Sequence, residues 1–395
     1  MLADRISRID EPQTIRMAKL SRELRAQGLD VVDLSLGEPD FPTPSHLIEA
    51  AKAAMDEGFT KYPPVAGYPE LRQAISAKFK RENGLNFPPE QVMASTGAKQ
   101  CIANAILSIV NPGDEVVIPA PFWVTYADIV KLAEGKVIQV KSGIEQDFKI
   151  TPTQLREAIT PATRCIIFSS PCNPTGSIYT REELRALADV LASFPAVYVI
   201  SDEIYEHINF SSQHESIAQF DVLHNRVIVI NGLSKSFAMT GWRLGYMGGP
   251  KEIINACEKI QSQFTSGANS ITQRTAIAAL NGTLQPTLDM QAAFRQRRDF
   301  LVEALRQIPG LVVNHPAGAF YVFPDVSHFL SHPETPDTEQ LCLYLLHKGL
   351  VSCVPGDAFG DASCIRISYA TSMDKLEEAV RRLTKAFAQL DQSRP

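Results

Sequence analysis

Short apolar runs alternate along this chain with stretches of helical period. Glu115 to Ile118, Cys165 to Phe168, Ala196 to Ile200 and Val227 to Ile230 are brief and rich in Val and Ile, as strands buried on both faces are. Between them lie segments such as Arg181 to Leu191, whose apolar residues return every three or four positions. The same spacing links Leu71, Ala74, Ile75 and Phe79, and again Leu376, Ala379, Val380, Leu383 and Phe387, so each set shares one helix face. Strands separated by helices predict βαβ units, hence an α/β fold with a mostly parallel central sheet and helices on both faces. From about Pro286 the texture changes, and a long polar helix, Gln291 to Gln307, leads into a separate group of strands and helices. The expectation is a large domain over residues 46–285, a smaller α+β domain over 286–395, and an N-terminal arm, 1–45, that completes the smaller one.

Composition removes several functional classes. The 395 residues carry 38 Lys and Arg against 44 Asp and Glu, a net charge of −6 with no basic run, which disfavours nucleic acid and anionic membranes as partners. No apolar stretch has membrane-spanning length, and Met1 to Asp10 is charged rather than leader-like. The cysteines number seven, an odd count, and neither CxxC nor HExxH occurs. Buried thiols in a reducing cytoplasm are expected, with no disulfides and no metal.

Candidate chemistry gathers at the predicted strand ends, where open α/β sheets hold their ligands. Cys165 to Phe168 runs into Ser169-Ser170-Pro171-Cys172-Asn173-Pro174-Thr175-Gly176, and Ala196 to Ile200 into Ser201-Asp202-Glu203-Ile204-Tyr205. Val227 to Ile230 delivers Ser234-Lys235, with Arg243 eight positions later across a glycine turn. A lysine at a strand end followed by such an arginine suits pyridoxal 5'-phosphate (PLP): the amine forms a Schiff base and the guanidinium grips the phosphate. A pyridine ring also asks for a carboxylate at its nitrogen and for an amide and a phenol at its phenolic oxygen, which Asp202, Asn173 and Tyr205 supply. Each has a plainer reading as well: a surface lysine, a helix cap at Asp202, a core tyrosine, an Asn-Pro-Thr-Gly turn.

A phosphate site is offered by Ser95-Thr96-Gly97-Ala98-Lys99-Gln100, which opens a helical pattern through Ile102, Ala105, Ile106 and Ile109. Small residues at a helix start present free N–H groups to an anion, although a simple capped helix has the same look. Neither GxxxxGK[ST] nor GxGxxG is present, against kinase and dehydrogenase chemistry. Trp123 follows a strand and suits ring stacking or the core. In Cys364-Ile365-Arg366-Ile367-Ser368, strand alternation sets Arg366 and Ser368 opposite Ile365 and Ile367. Arg366 is then either a solvated strand residue or a planar fork for a substrate carboxylate.

These segments, with Leu36-Gly37-Glu38-Pro39-Asp40-Phe41 and Lys61-Tyr62-Pro63-Pro64-Val65-Ala66-Gly67, span nearly the whole chain. Together they resemble the class I PLP-dependent aminotransferases of fold type I, within the aspartate aminotransferase family and close to its aspartate/prephenate subgroup. The resemblance implies the PLP-transferase fold, with Lys235 as Schiff-base lysine and proton shuttle, Asp202 at the pyridine nitrogen, and Asn173 with Tyr205 at the phenolic oxygen. It further implies Trp123 on the ring, and Ala98, Lys99, Ser234 and Arg243 near the phosphate. Arg366, Asn173 and the Gly37 backbone would bind the substrate α-carboxylate, with Trp123 beside it. Tyr62 would reach the phosphate of a neighbouring subunit, so a homodimer with shared active sites is implied. Cis peptide bonds are expected at Ser170-Pro171 and Asn173-Pro174.

One position departs from the family pattern: where many relatives carry a phosphate-binding serine, Gly232 or Leu233 stands here. Lys99 directly after the Thr-Gly-Ala turn, with Thr14 in the N-terminal segment, resembles the enzymes that accept dicarboxylates and, in some cases, prephenate. The expected activity is transfer of the amino group of aspartate or glutamate to a 2-oxo acid. Carbon–sulfur β-lyase activity, transamination of aromatic or neutral amino acids, and a non-catalytic regulator on the same fold are the alternatives.

Overall fold

The computed structural model describes residues 2–9, 11–211, 213–223 and 225–393. Its centre is a seven-stranded sheet of β1 (Val92–Ser95), β2 (Glu115–Ala120), β3 (Lys136–Lys141), β4 (Thr163–Ser169), β5 (Tyr198–Asp202), β6 (Val227–Gly232) and β7 (Gly245–Gly248). The order across the sheet is β1-β7-β6-β5-β4-β2-β3, and only β7 runs antiparallel to its neighbours. The predicted α/β fold is therefore present. Three strands lie outside the four apolar runs read from the sequence. β3 alternates Lys, Val, Ile, Gln, Val, Lys and lies at an edge, where charged ends discourage further pairing. β1 is the opposite edge, and β7 is short with a glycine at each end.

Burial on both faces follows from the pleat, because successive side chains point to opposite sides. Val117, Ile166, Phe168, Val199, Val227 and Val229 enter one apolar core, shared with Leu71, Ile75 and Phe79 of helix Pro69–Asn83 and Leu184, Leu187 and Leu191 of helix Arg181–Ala192. Their neighbours Val116, Ile118, Cys165, Ile167, Ile200, Ile228 and Ile230 enter another, shared with Ile102, Ala105 and Ile106 of helix Ala98–Ile109 and Ile254 and Cys257 of helix Lys251–Phe264. Helix Arg181–Ala192 starts at a capping box: Thr180 Oγ1 accepts the Glu183 N–H while Glu183 returns a bond to the Thr180 N–H.

A third core takes in Ile204, Tyr205, Ile208 and Phe210 from the segment after β5 and is otherwise built from other parts of the chain. Met290, Phe294, Leu301 and Leu305 of helix Gln285–Arg306 pack with Leu341 and Leu345 of helix Thr338–Gly349, Leu376 and Leu383 of helix Met373–Gln392, and Met17 of helix Gln13–Ala26. Helix Gln285–Arg306 begins six residues before the expected Gln291, with Pro286 in its first turn, where a missing N–H costs nothing. Small sheets join this layer: Val354–Pro355 pairs with Ile365–Ser368, which pairs with Tyr321–Val322, and Val32–Asp33 runs parallel to Val351–Ser352. Cis peptide bonds occur at Ala120-Pro121 and Ser170-Pro171. The expected cis bond at Asn173-Pro174 is therefore corrected, and Ala120-Pro121, at the end of β2, was not foreseen: an X-Pro pair alone does not say which isomer the neighbouring packing selects.

Candidate active site

The C-terminal ends of β1, β2, β4, β5 and β6 and the start of the reversed β7 share one edge of the sheet. There a cavity of about 370 Å³ opens. Every residue named above for holding cofactor or substrate lines it except Tyr62, which is 96% exposed on the surface of this chain. β4 leads to Asn173, β5 ends in Asp202 and turns through Tyr205, and β6 leads to Ser234 and Lys235. The third layer contributes Arg366, and the N-terminal segment contributes Thr14 and Gly37.

Lys235 is partly buried and its Nζ donates to the Gly37 carbonyl. It stands 5.8 Å from the Tyr205 ring centre and 5.7 Å from that of Phe320. Burial, with Arg243 and Arg366 nearby, lowers its ammonium pKa to about 8, against the pull of Glu38 and Asp202. An amine with that value is partly free at neutral pH, as a nucleophile or proton carrier must be. Asp202 is 4% exposed. Burial pushes its carboxyl up to about 6, while bonds from the Tyr126 hydroxyl (2.6 Å) and the Ile204 N–H (3.2 Å) favour the charged form. No helix follows Asp202, so the helix-cap reading is corrected: one oxygen accepts from the Ile204 N–H of a turn and the other from Tyr126.

Arg366 is 2% exposed, so it is no solvated strand residue, and Ile365 and Ile367 enter the third core as alternation requires. Nη1 donates to Asn173 Oδ1 (3.0 Å) and Nη2 to the Ser35 carbonyl (2.7 Å), while Nε has no partner. A buried guanidinium without a carboxylate is an incomplete ion pair, and it marks a binding position for an anion.

Opposite, the N-terminus of helix Ala98–Ile109 meets Arg243. Gly97 holds φ +88°, and a Cβ there would run into the Arg243 guanidinium; one on Gly245 would overlap the Ala98 backbone nitrogen. Only glycines let these segments close, leaving the first helical N–H groups and an arginine around one space. Lys99 Nζ lies 5.0 Å from the Trp123 ring centre, and burial with Arg243 nearby lowers its pKa. Ser169 is buried and lines the cavity, with Tyr126 and Cys172 as neighbours. Leu233 is 1% exposed within the core, and a Cβ on Gly232 would press on the Leu244 carbonyl at 3.0 Å, so neither supplies a hydroxyl.

Several participants escaped sequence reasoning. Tyr126 was signalled only by its place one helical turn after Trp123. Ser169, Glu38, Thr240 and Tyr321 carried no signal, being common residues whose position depends on the fold. Beside the site, Lys78 pairs with Glu206 within a group of Glu82, Glu203, Glu206, His207 and His214. Burial alone would raise the Glu206 carboxyl, but Lys78 and the imidazoles hold it well below the usual range. His207 continues to Ser236 Oγ (2.9 Å), next to Lys235. Among the described residues no helix is long and apolar enough to cross a membrane.

Residues 29–383 match the family described as aminotransferase class I and II. The aspartate/prephenate aminotransferase of Nitrosomonas europaea is 47% identical over 98% of this chain and 100% of its own length. A bifunctional aspartate and glutamate/aspartate-prephenate aminotransferase of Petunia hybrida is 46% identical over 98% of this chain and 82% of its own. Among solved structures, the aspartate aminotransferase of Rhizobium meliloti superposes with a TM-score of 0.95 at 40% identity, covering 98% of this chain and 99% of that one. The Thermus thermophilus enzyme with maleate gives 0.92 at 41%, with the same coverage.

Proposed function

The chain belongs to the class I and II aminotransferase family, and from that premise we propose that it uses PLP to move the amino group of aspartate or glutamate to a 2-oxo acid such as 2-oxoglutarate or oxaloacetate, with prephenate as a further acceptor. One observation carries the reading. The cavity is lined by four cationic side chains, Lys99, Lys235, Arg243 and Arg366, against two carboxylates, Glu38 and Asp202. That excess suits a phosphate together with a substrate carrying two carboxylates.

The residues present fit the cofactor. Arg243 and the N–H groups that open helix Ala98–Ile109 would hold its phosphate, with Ser234, and Trp123 would cover its ring. Asp202, fixed by Tyr126, would keep the ring nitrogen protonated; Asn173 and Tyr205 would serve the phenolic oxygen. PLP supplies there an aldehyde that takes up the amino group and a ring that withdraws electrons from the substrate Cα. The rest is done by the chain. Arg366, Asn173 and the Gly37 segment orient the α-carboxylate, Lys99 with Thr14 meets the distal one, and Lys235 moves the proton at Cα. The partner-less Arg366 Nε supports a site built for polar ligands.

We read the chain as two domains, 46–285 and 286–395 with the 1–45 arm, supported by the third core, whose buried residues other than Ile204, Tyr205, Ile208 and Phe210 all come from 1–45 and 286–395. Tyr62, exposed here, suits a homodimer in which it completes the partner's phosphate site. Free and mostly buried cysteines agree with a cytoplasmic setting.

A panel of amino donors and oxo acids tests the function on wild type, Lys235→Ala and Lys99→Ala. Expected are exchange by wild type, its loss in Lys235→Ala, and a fall in the aspartate-to-alanine ratio of kcat/KM in Lys99→Ala of about tenfold or more, since a desolvated carboxylate loses its cation. Net release of pyruvate and ammonia would instead identify a β-lyase, and an unchanged ratio would remove Lys99 from substrate selection.

A further inference from the structure

Tyr321 lines the cavity yet is fully buried, and no step of the proposed reaction uses it. Its strand pairs with that of Arg366, in register with Ser368. Its hydroxyl lies 2.8 Å from the Tyr205 hydroxyl. Its ring centre lies 4.4 Å from the Arg366 guanidinium carbon. A Cβ on Gly37, whose carbonyl accepts from Lys235, would stand 2.8 Å from the same hydroxyl. One side chain thus touches the phenol, the arginine and the backbone segment that the proposed reaction needs together.

The hydroxyl pair has a preferred direction. Burial raises both phenols and Arg366 opposes this at each, but Tyr205, with Asp202 also near it, is raised further. Either hydroxyl can donate in this pair; the more acidic phenol is the better donor, which favours a bond from the Tyr321 hydroxyl to the Tyr205 oxygen. The proton of Tyr205 is then free to point into the cavity. Lys235, 5.8 Å from the Tyr205 ring, is the remaining charge facing the pair.

We propose that Tyr321 is a positioning residue joining the two halves of the site: its hydroxyl sets the direction in which Tyr205 donates, and its ring holds the Arg366 plane ready for a carboxylate. This rests on the assignment of Tyr205 to the cofactor's phenolic oxygen and of Arg366 to the substrate. A bond donated to that oxygen stabilises its negative charge, and weakening the bond raises the affinity of the bound cofactor for a proton.

The test uses the PLP-loaded enzyme and the pH midpoint of its visible absorbance. In Tyr321→Phe the midpoint should rise by about half a unit or more, with the KM for aspartate changed less than about threefold, because the ring over Arg366 remains. Tyr321→Leu removes the ring as well, and its KM should rise about tenfold or more. In a Tyr205→Phe background, Tyr321→Phe should add no further change in midpoint. A midpoint unmoved by Tyr321→Phe, with only a lower melting temperature, would overturn the proposal as a packing effect. If the Tyr321 variants do not fold, Gly37→Ala, whose methyl displaces the hydroxyl, must raise the midpoint; an unchanged value overturns the proposal equally. A wild type that binds no PLP sinks the aminotransferase mechanism itself, whereas a wild type that titrates beside an unaltered Tyr321→Phe sinks this inference alone.

Discussion

Asp202 pays for its role before any ligand arrives. Its carboxyl has an ordinary value of 3.8 and rises to about 6 in the folded chain. Between those values the folded state keeps a proton that the unfolded state has lost, so stability falls as pH rises through this window. The penalty is complete above it. Cofactor-free Asp202→Asn should therefore be more stable than wild type at pH 7, on the order of 1–3 kcal/mol, and indistinguishable from it below about pH 4. Urea unfolding of both proteins without PLP, at one protein concentration and two pH values, measures this. Equal stability at pH 7 would mean that Tyr126 and Ile204 already compensate the buried charge. The same substitution should abolish transamination, since an amide cannot hold the ring nitrogen's proton. Which strand-end residues matter was legible at this scale because Lys, Asp and Arg next to buried strands are costly and need a reason. Tyr126 and Tyr321 were not, since buried tyrosines are ordinary core residues until their hydroxyl partners are known.

Among the elements, the junction of β1, helix Ala98–Ile109 and β7 imposes the strictest geometry. Gly97, at φ +88°, and Gly245 allow Arg243 to approach the helix N-terminus. Gly97→Ala adds a methyl against the guanidinium and strains the backbone, so the anion site should open. Affinity for PLP and for inorganic phosphate should fall together, by roughly tenfold or more, with a stability loss of about 1–3 kcal/mol. Equilibrium dialysis with each ligand decides it; a loss of stability with unchanged phosphate affinity would place the phosphate elsewhere. Strands rich in Val and Ile were readable because both of their faces are buried. β3 and β7 were not, since an edge strand tolerates charge and a strand bounded by glycines carries little propensity.

For the whole molecule, the exposed position of Tyr62 sets the prediction. In the homodimer proposed above, a phenol 96% exposed in one chain would gain its role from a second chain. Light scattering should give twice the 43.5 kDa chain mass. Tyr62→Ala should then weaken PLP retention about tenfold or more, through a lost hydrogen bond to a charged group, without changing the oligomeric mass. Monomeric wild type with full activity would refute shared sites, and unchanged retention would place Tyr62 outside the site.

The sequence by itself determined the alternation of buried strands and amphipathic helices, the strand-end placement of Asn173, Asp202 and Lys235, and the opposition of Arg366 to its Ile neighbours. These are local properties, written in the period of a strand or helix and in the rarity of charge beside apolar runs. Tertiary structure alone decided that helix Gln13–Ala26 and strand Ile365–Ser368, distant in sequence, reach the same cavity. It also decided that β7 runs in reverse to bring Arg243 to that edge, which X-Pro bond is cis, and which tyrosines hold the acid and the phenol. Such outcomes depend on which surfaces pack together across long loops, and no short window of sequence contains both partners of a long-range contact.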